Sequence, residues 1–286
     1  MNLKYVLVIP LFFGIHWSTL IHAHELNSLD GSKAPIQNYF QSLTFLNKFK
    51  HNSRHPLHTE AILILPGFGS KYHFLNKIKQ AFNKAPYDVF VPRYIDRRSL
   101  KETLRNLECY WQRHALSTYQ KVHVFSYIVG SWTINSWIAK NGKANIETIV
   151  YDRSALQERA PFVLVQDMKL VKFLLFGGVV NDLLDTPYIP LIDTSIRRGM
   201  LLETYATNTI RKHQQTAASI GPYCWNISCF GQHVNDYRFI QLNHDQMYTH
   251  PEAFAEAFLH FIRNGNFGTH LQTVQPVENP FMKHKP

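Results

Sequence analysis

The chain has 286 residues, of which 45% are hydrophobic, 17% charged and 14% aromatic. That balance excludes disorder over most of the length and suits one large domain with insertions. The net charge of +10 is carried by scattered residues such as Lys71, Lys77, Arg97 and Arg197; no basic helix face or nucleic-acid motif emerges, so nucleic acid is not an expected partner.

The first 23 residues have the layout of a secretory signal peptide. Lys4 gives a short positive region, Tyr5 to Leu20 is mostly apolar, and Ala23 precedes polar His24 and Glu25. Pro10, Gly14 and His16 interrupt the apolar run, which therefore lacks the ~20 unbroken apolar residues of a membrane anchor. The expectation is a secreted or periplasmic protein, cleaved near Ala23. Residues 24–58 read as a polar N-terminal extension. His51, His55 and His58 within it have helical spacing, but their polar surroundings and Pro56 make a solvated linker. No H-E-x-x-H or C-x-x-C group exists, and neither metal nor cofactor is expected.

Residues 59–263 form the domain proper. Ala61 to Leu65 is a continuous apolar run ended by Pro66-Gly67-Phe68-Gly69, as in a strand buried on both faces of a parallel sheet. Tyr72, Leu75, Ile78, Ala81 and Phe82 follow with helical spacing, then a strand at Tyr87–Val91. Ser99 and Glu102 make a capping box. It opens a helix whose face Leu100, Leu104, Leu107, Trp111 packs inward. Lys121–Phe125 is a third strand, Trp132–Ala139 a helix, and Ile146–Tyr151 a fourth strand that runs into Asp152. This alternation predicts an α/β fold, a mostly parallel sheet with flanking helices.

The alternation stops after Asp152. Residues 155–220 read as a helical cap insertion with little strand character. Its Phe162–Phe176 stretch is intensely apolar, either as a buried helix or as a lid that faces lipid. An insertion here would lie over the C-terminal ends of the strands, where ligands bind in open α/β sheets. Regular structure returns with a strand at Tyr237–Leu242, a loop at Asn243–Tyr248, and a helix begun by Thr249, Pro251 and Glu252 as a second capping box. Phe254, Phe258, Phe261 and Ile262 face inward, and residues 264–286 read as a disordered tail. Of Cys109, Cys224 and Cys229, the last two can pair only if the chain turns between them. An extended strand would hold their Cα atoms about 16 Å apart, beyond the ~7 Å limit.

The order strand, Gly-x-Gly turn, helix, strand, helix, strand, sharp turn, helix, strand, insertion, strand, histidine, helix resembles the α/β-hydrolase family over about residues 60–263. The resemblance implies an oxyanion loop at Gly67, Phe68 and Gly69, completed by the backbone of Val129. It implies a general base at His244, in His244-Asp245-Gln246-Met247-Tyr248. The nucleophile turn, G-x-S-x-G in the family, here reads Ser126-Tyr127-Ile128-Val129-Gly130. Ile128 fills the serine position and has no atom that can attack a carbonyl. Ser126 and Ser131 are the nearby hydroxyls, one at the strand end and one a turn into the helix. Each also has a structural use, in hydrogen bonding or helix capping. Asp152 stands where the family can place its acid, or else pairs with Arg153 or caps a helix. Asp236 is excluded, because a strand of eight residues at ~3.3 Å each puts it about 25 Å from His244.

Two functions are open at this stage. One is a degenerate serine hydrolase that retains a pocket for an apolar or acyl-bearing small molecule. The other is a working ester or thioester hydrolase with a displaced serine. A peripheral membrane contact through the Phe162–Phe176 stretch rests on that stretch alone.

Overall fold

A computed structural model describes residues 57–68, 72–152, 159–222, 225–269, 274–275 and 279–281. The expected signal peptide, most of the N-terminal extension, Gly69, Arg153 and Cys224 lie outside these residues. In chain order the elements are β1 (Glu60–Leu65), α1 (Tyr72–Ala81), β2 (Asp88–Phe90), α2 (Leu100–Arg113), β3 (Lys121–Ser126), α3 (Ile128–Asn141) and β4 (Ile146–Asp152). Then come α4 (Ala160–Gln166), α5 (Lys169–Val171), a π-helical turn (Lys172–Phe176), α6 (Val179–Asp185) and β5 (Arg197–Glu203). The chain continues through α7 (Asn208–Lys212), α8 (Gln214–Ser219), β6 (Asp236–Ile240), α9 (His244–Thr249) and α10 (Glu252–Asn264).

Among the described residues six strands form one sheet in the order β2-β1-β3-β4-β5-β6, and every neighbouring pair is parallel. The apolar run of β1 is continuous because both its faces are buried. Alternate residues of β1 enter different cores. Ala61, Leu63 and Leu65 pack with Leu107 and Trp111 of α2 and Ile134 and Trp137 of α3. Ile62 and Ile64 pack with Ile78 of α1 and with Phe254, Phe258 and Phe261 of α10. The result is the expected α/β architecture, a parallel sheet between two helical layers.

Several expectations are corrected. The region 155–220 contains β5, so the insertion between β4 and β5 ends before Arg197, and α7 and α8 form a separate excursion after β5. The start Arg197-Arg198-Gly199 disguises this strand. Arg198 is nonetheless fully buried, with its guanidinium donating to the Leu191 carbonyl. Gly199 admits two aromatic rings, since a Cβ there would lie 2.8 Å from both Phe261 and Phe267.

The Phe162–Phe176 stretch is not one helix. It breaks at Asp167 and Met168 into a part that buries Val163 and Leu164 and a part that exposes Leu170, Phe173, Leu174 and Leu175. The supposed loop at 243–248 is the start of α9, and the second capping box is not made. Thr249 remains inside α9, its hydroxyl donating to the Asp245 and Gln246 carbonyls, and α10 starts after Pro251.

Some described residues of the tail pack onto the domain. Phe267 is fully buried, and its N–H donates to Asp236 Oδ2 at 2.8 Å. Pro280 accepts from the Ala206 N–H at 3.0 Å, and Phe281 packs against Val163, Ala206, Ile210 and Ala217. Buried aromatic area and satisfied backbone groups hold these residues in place.

Candidate functional site

Parallel pairing brings the C-terminal ends of the strands to one edge. Leu65 pairs with Ser126, Ser126 with Tyr151, and Asp152 with Leu201, two residues before Glu203. The strand order reverses between β1 and β3, because β2 lies on the far side of β1. Open α/β sheets bind ligands outside such a reversal. The Pro66-Gly67-Phe68 turn, the start of α3, Asp152, Glu203 and His244 all belong to this edge.

At the expected nucleophile turn the chain passes from β3 into α3 with no strained residue. Tyr127 caps α3 in an extended conformation, φ −72° and ψ 168°, and Ile128 is the first helical residue. Among the described residues, only Ala115 and Ala144 have positive φ without being glycine. Gly130, two residues after Ile128, marks a close approach of α3 to β1. A Cβ at Gly130 would lie 2.7 Å from the Leu65 carbonyl oxygen and 2.8 Å from Leu65 Cβ, so α3 crosses β1 where only glycine fits. Ile128 lies two residues before that contact, is 4% exposed and lines the pocket.

The two candidate hydroxyls are elsewhere. Ser126 and Ser131 are both fully buried, and their Oγ atoms lie 3.2 Å apart. Ser131 also donates to the Tyr127 carbonyl at 3.4 Å. Neither lines the pocket.

His244 is set in place by its own helix start. The Asn243 side chain accepts from the Gln246 N–H at 3.0 Å, and Gln246 Oε1 accepts from the Asn243 N–H at 2.9 Å, a reciprocal cap that fixes the first turn of α9. His244 Nδ1 then faces two carboxylates, Glu203 Oε1 at 3.3 Å and Asp152 Oδ2 at 3.4 Å. Asp152 is thus joined to His244. Glu203 is a second acid that reading the sequence missed, because it ends the disguised strand β5. The short apolar run Met200-Leu201-Leu202 before it was the available signal.

Burial opposes the charged imidazole, but the hydrogen bonds and negative charges of Asp152 and Glu203 outweigh it. They raise the His244 pKa from 6.5 to about 10. The two carboxylates thus favour the doubly protonated ring, in which both nitrogens donate.

On the other side of His244 lies the Gly67 turn. A Cβ on Gly67 would be 3.7 Å from His244 Nε2 and 2.9 Å from the Tyr248 hydroxyl oxygen. That oxygen accepts the Gly67 N–H at 2.6 Å. Tyr248 stacks on Tyr127, with ring centroids 4.2 Å apart, and Tyr127 donates to the Met247 carbonyl at 3.1 Å. Burial, followed by nearby negative groups, pushes the Tyr127 hydroxyl well above its ordinary pKa. It stays a neutral donor.

A cavity of about 180 Å³ opens beside these groups. Ile128, Val129 and Trp132 of α3 form one wall, while Val163 and Leu164 of α4 and Val180 and Leu183 of α6 form another. Phe68 and Phe176 meet edge to face across it, with centroids 5.4 Å apart. Polar character comes from His244, Asp245, Thr207 and Thr209. The volume is below the ~300–1,000 Å³ usual for drug-sized ligands, so the space suits a narrow apolar group. As for metals, Asp152, Glu203 and His244 offer ligand atoms within 4.8 Å of one another. The oxygen and imidazole donors suit zinc or manganese, but His244 would first have to give up its Nδ1 proton.

No family model matches the chain, and no curated protein matches it either. Among solved structures, Est1E from Butyrivibrio proteoclasticus is similar at 10% identity and a TM-score of 0.49, covering 74% of this chain and 90% of its own. A bromoperoxidase from Bacillus anthracis is similar at 12% identity and a TM-score of 0.44, over 73% of this chain and 94% of its own. A predicted CIB-like hydrolase from Thermoplasma acidophilum is similar at 14% identity and a TM-score of 0.41, over 72% and 86%.

Proposed function

We propose that this chain, which has the α/β-hydrolase fold, is an exported binding protein without a catalytic nucleophile, and that its pocket takes an apolar, acyl-bearing small molecule. The observation that carries the reading is Ile128. It opens α3 in unstrained backbone and contributes a hydrocarbon wall where the fold would offer an attacking oxygen. The charge on His244 supports the same reading. Held protonated by Asp152 and Glu203, the ring serves as a hydrogen-bond donor. A carbonyl or ester oxygen at the end of a narrow acyl chain matches that donor and the apolar walls. The Lys4 to Ala23 layout supports export.

Native mass spectrometry of the purified protein, with competition by a fluorescent acyl probe, tests the pocket. The expected result is stoichiometric binding of an acyl compound that Leu183→Trp, a substitution that fills the cavity, weakens without loss of thermal stability. Unchanged binding in that variant would remove the pocket from the reading. Export is tested by cell fractionation and N-terminal sequencing, with cleavage expected near Ala23.

The second reading, an ester or thioester hydrolase with Ser126 or Ser131 as nucleophile, draws on the surviving pair of His244 with an acid. A serine-directed phosphonate probe separates the two. The binding reading expects no labelling; labelling lost in Ser126→Ala or Ser131→Ala would replace it with the hydrolase.

A further inference from the structure

The segment that follows α4 exposes more apolar surface than any other short stretch among the described residues. Leu170, Phe173, Leu174 and Leu175 are 70%, 71%, 50% and 63% exposed. Contiguous exposed patches of this kind mark docking surfaces. The segment is braced from below. The Arg97 guanidinium donates to the Phe173 and Leu174 carbonyls, and the Val179 N–H donates to the Arg97 carbonyl at 3.2 Å. A Cβ on Gly177 would collide with the Arg97 backbone, so the π-helical turn is seated tightly on that loop. The leucines and the phenylalanine are therefore held outward by a fixed support.

Charge indicates what they meet. From Met168 to Asn181 the sequence contains Lys169 and Lys172 and no acidic residue. Arg97, exposed, lies directly beneath. The acids on either side are engaged elsewhere. Asp167 pairs with His213 at 2.9 Å, and Asp182 accepts the Leu100 N–H at 2.7 Å. Cations beside outward aromatic and leucine side chains are the pattern of an interfacial anchor for anionic lipid. A second copy of this basic chain, at net +10, would bring like charges together instead.

We propose that residues Lys169–Leu175 form a docking surface for an anionic membrane. The surface stands whatever fills the pocket. It adjoins that pocket, because Phe176 at the end of the turn lines it, and docking would bring the cavity beside the bilayer.

Co-sedimentation of the full chain with vesicles of phosphatidylcholine alone, or mixed with phosphatidylglycerol, tests this. Binding should be at least tenfold stronger to the mixed vesicles and should fall with salt. It should drop about tenfold or more in Phe173→Ser/Leu175→Ser, and about fivefold for each charge lost in Lys169→Gln or Lys172→Gln. All four side chains project into solvent or lie at its edge, so the variants should keep the thermal transition of the parent. Binding that is absent, indifferent to phosphatidylglycerol or unchanged in the double variant overturns the proposal. So does a concentration-dependent dimer, seen by sedimentation velocity, that the same variant abolishes, since the occupant would then be a second copy. Loss of acyl-probe binding with vesicle binding intact would count against the pocket alone.

Discussion

Replacing His244 by glutamine removes the positive charge that stands between Asp152 and Glu203, and the effect on folding has a definite sign and size. In the folded protein the ring keeps its proton up to about 10, against 6.5 for an ordinary histidine. A raised folded pKa stabilises the native state fully below 6.5, progressively less as pH climbs, and not at all above about 10. At ~1.4 kcal/mol per tenfold difference in proton affinity, the ceiling is about 5 kcal/mol. A separate route gives a similar figure, since removing one partner of a buried ion pair costs about 3–5 kcal/mol. The His244 side chain is 18% exposed, which places the expected loss toward the lower end, about 3 kcal/mol. Urea denaturation of the parent and of His244→Gln, at a series of pH values across this window, gives the difference directly and cancels the titrating groups that are not coupled to His244. The gap should be widest near pH 6.5 and close toward pH 10. A gap that stays constant across the window, or widens with pH, would refute the reasoning.

Other outcomes follow from particular contacts. Gly199→Ala should destabilise by about 1–3 kcal/mol, because its Cβ would press on Phe261 and Phe267 at 2.8 Å; a neutral result in urea would mean that the rings can move. Asn243→Ala removes the cap of α9 and should cost ~1 kcal/mol, with acyl-probe affinity also falling as His244 loses its support. Zinc or manganese added to chelator-treated protein should leave the melting temperature unchanged at neutral pH, since the Nδ1 proton occupies the ligand position. A rise in melting temperature that Glu203→Gln abolishes would instead make the trio a metal centre.

How much the sequence disclosed depended on where each segment lies. The strand β1 is apolar on both faces and announces itself as an unbroken run, while β3 and β4 show through their β-branched and aromatic residues despite His123, Glu147 and Thr148. The α2 start was legible because its capping is local, and Ser99 does accept the Glu102 N–H at 3.1 Å. The strand β5 was hidden because its first residues are solved by distant partners. Arg198 is buried with its guanidinium donating to the Leu191 carbonyl and its N–H to Asn235 Oδ1, and Gly199 meets rings more than sixty residues away. Losing β5 also lost Glu203, and with it the second carboxylate that alters the behaviour of His244. Thr249 misled for the opposite reason. Its spacing to Glu252 suits a cap, but α9 already holds it inside a turn. Phe267 and Phe281 lie in polar sequence, and their burial depends on cavities that other elements create.

The Tyr248 hydroxyl at the Gly67 N–H has a consequence of its own. Were the Gly67 turn the oxyanion loop that the sequence resemblance implies, its amide would be kept vacant for a charge that exists only in passing. Here a resident oxygen sits on it at 2.6 Å, carried by a ring locked in a stack with Tyr127. The seat is taken before any visitor arrives. A ligand must either evict a wedged tyrosine or leave that amide alone, and the second course is far cheaper. The choice among visitors therefore passes from the backbone loop to the shape of the hydrocarbon walls and to the one proton that His244 still offers.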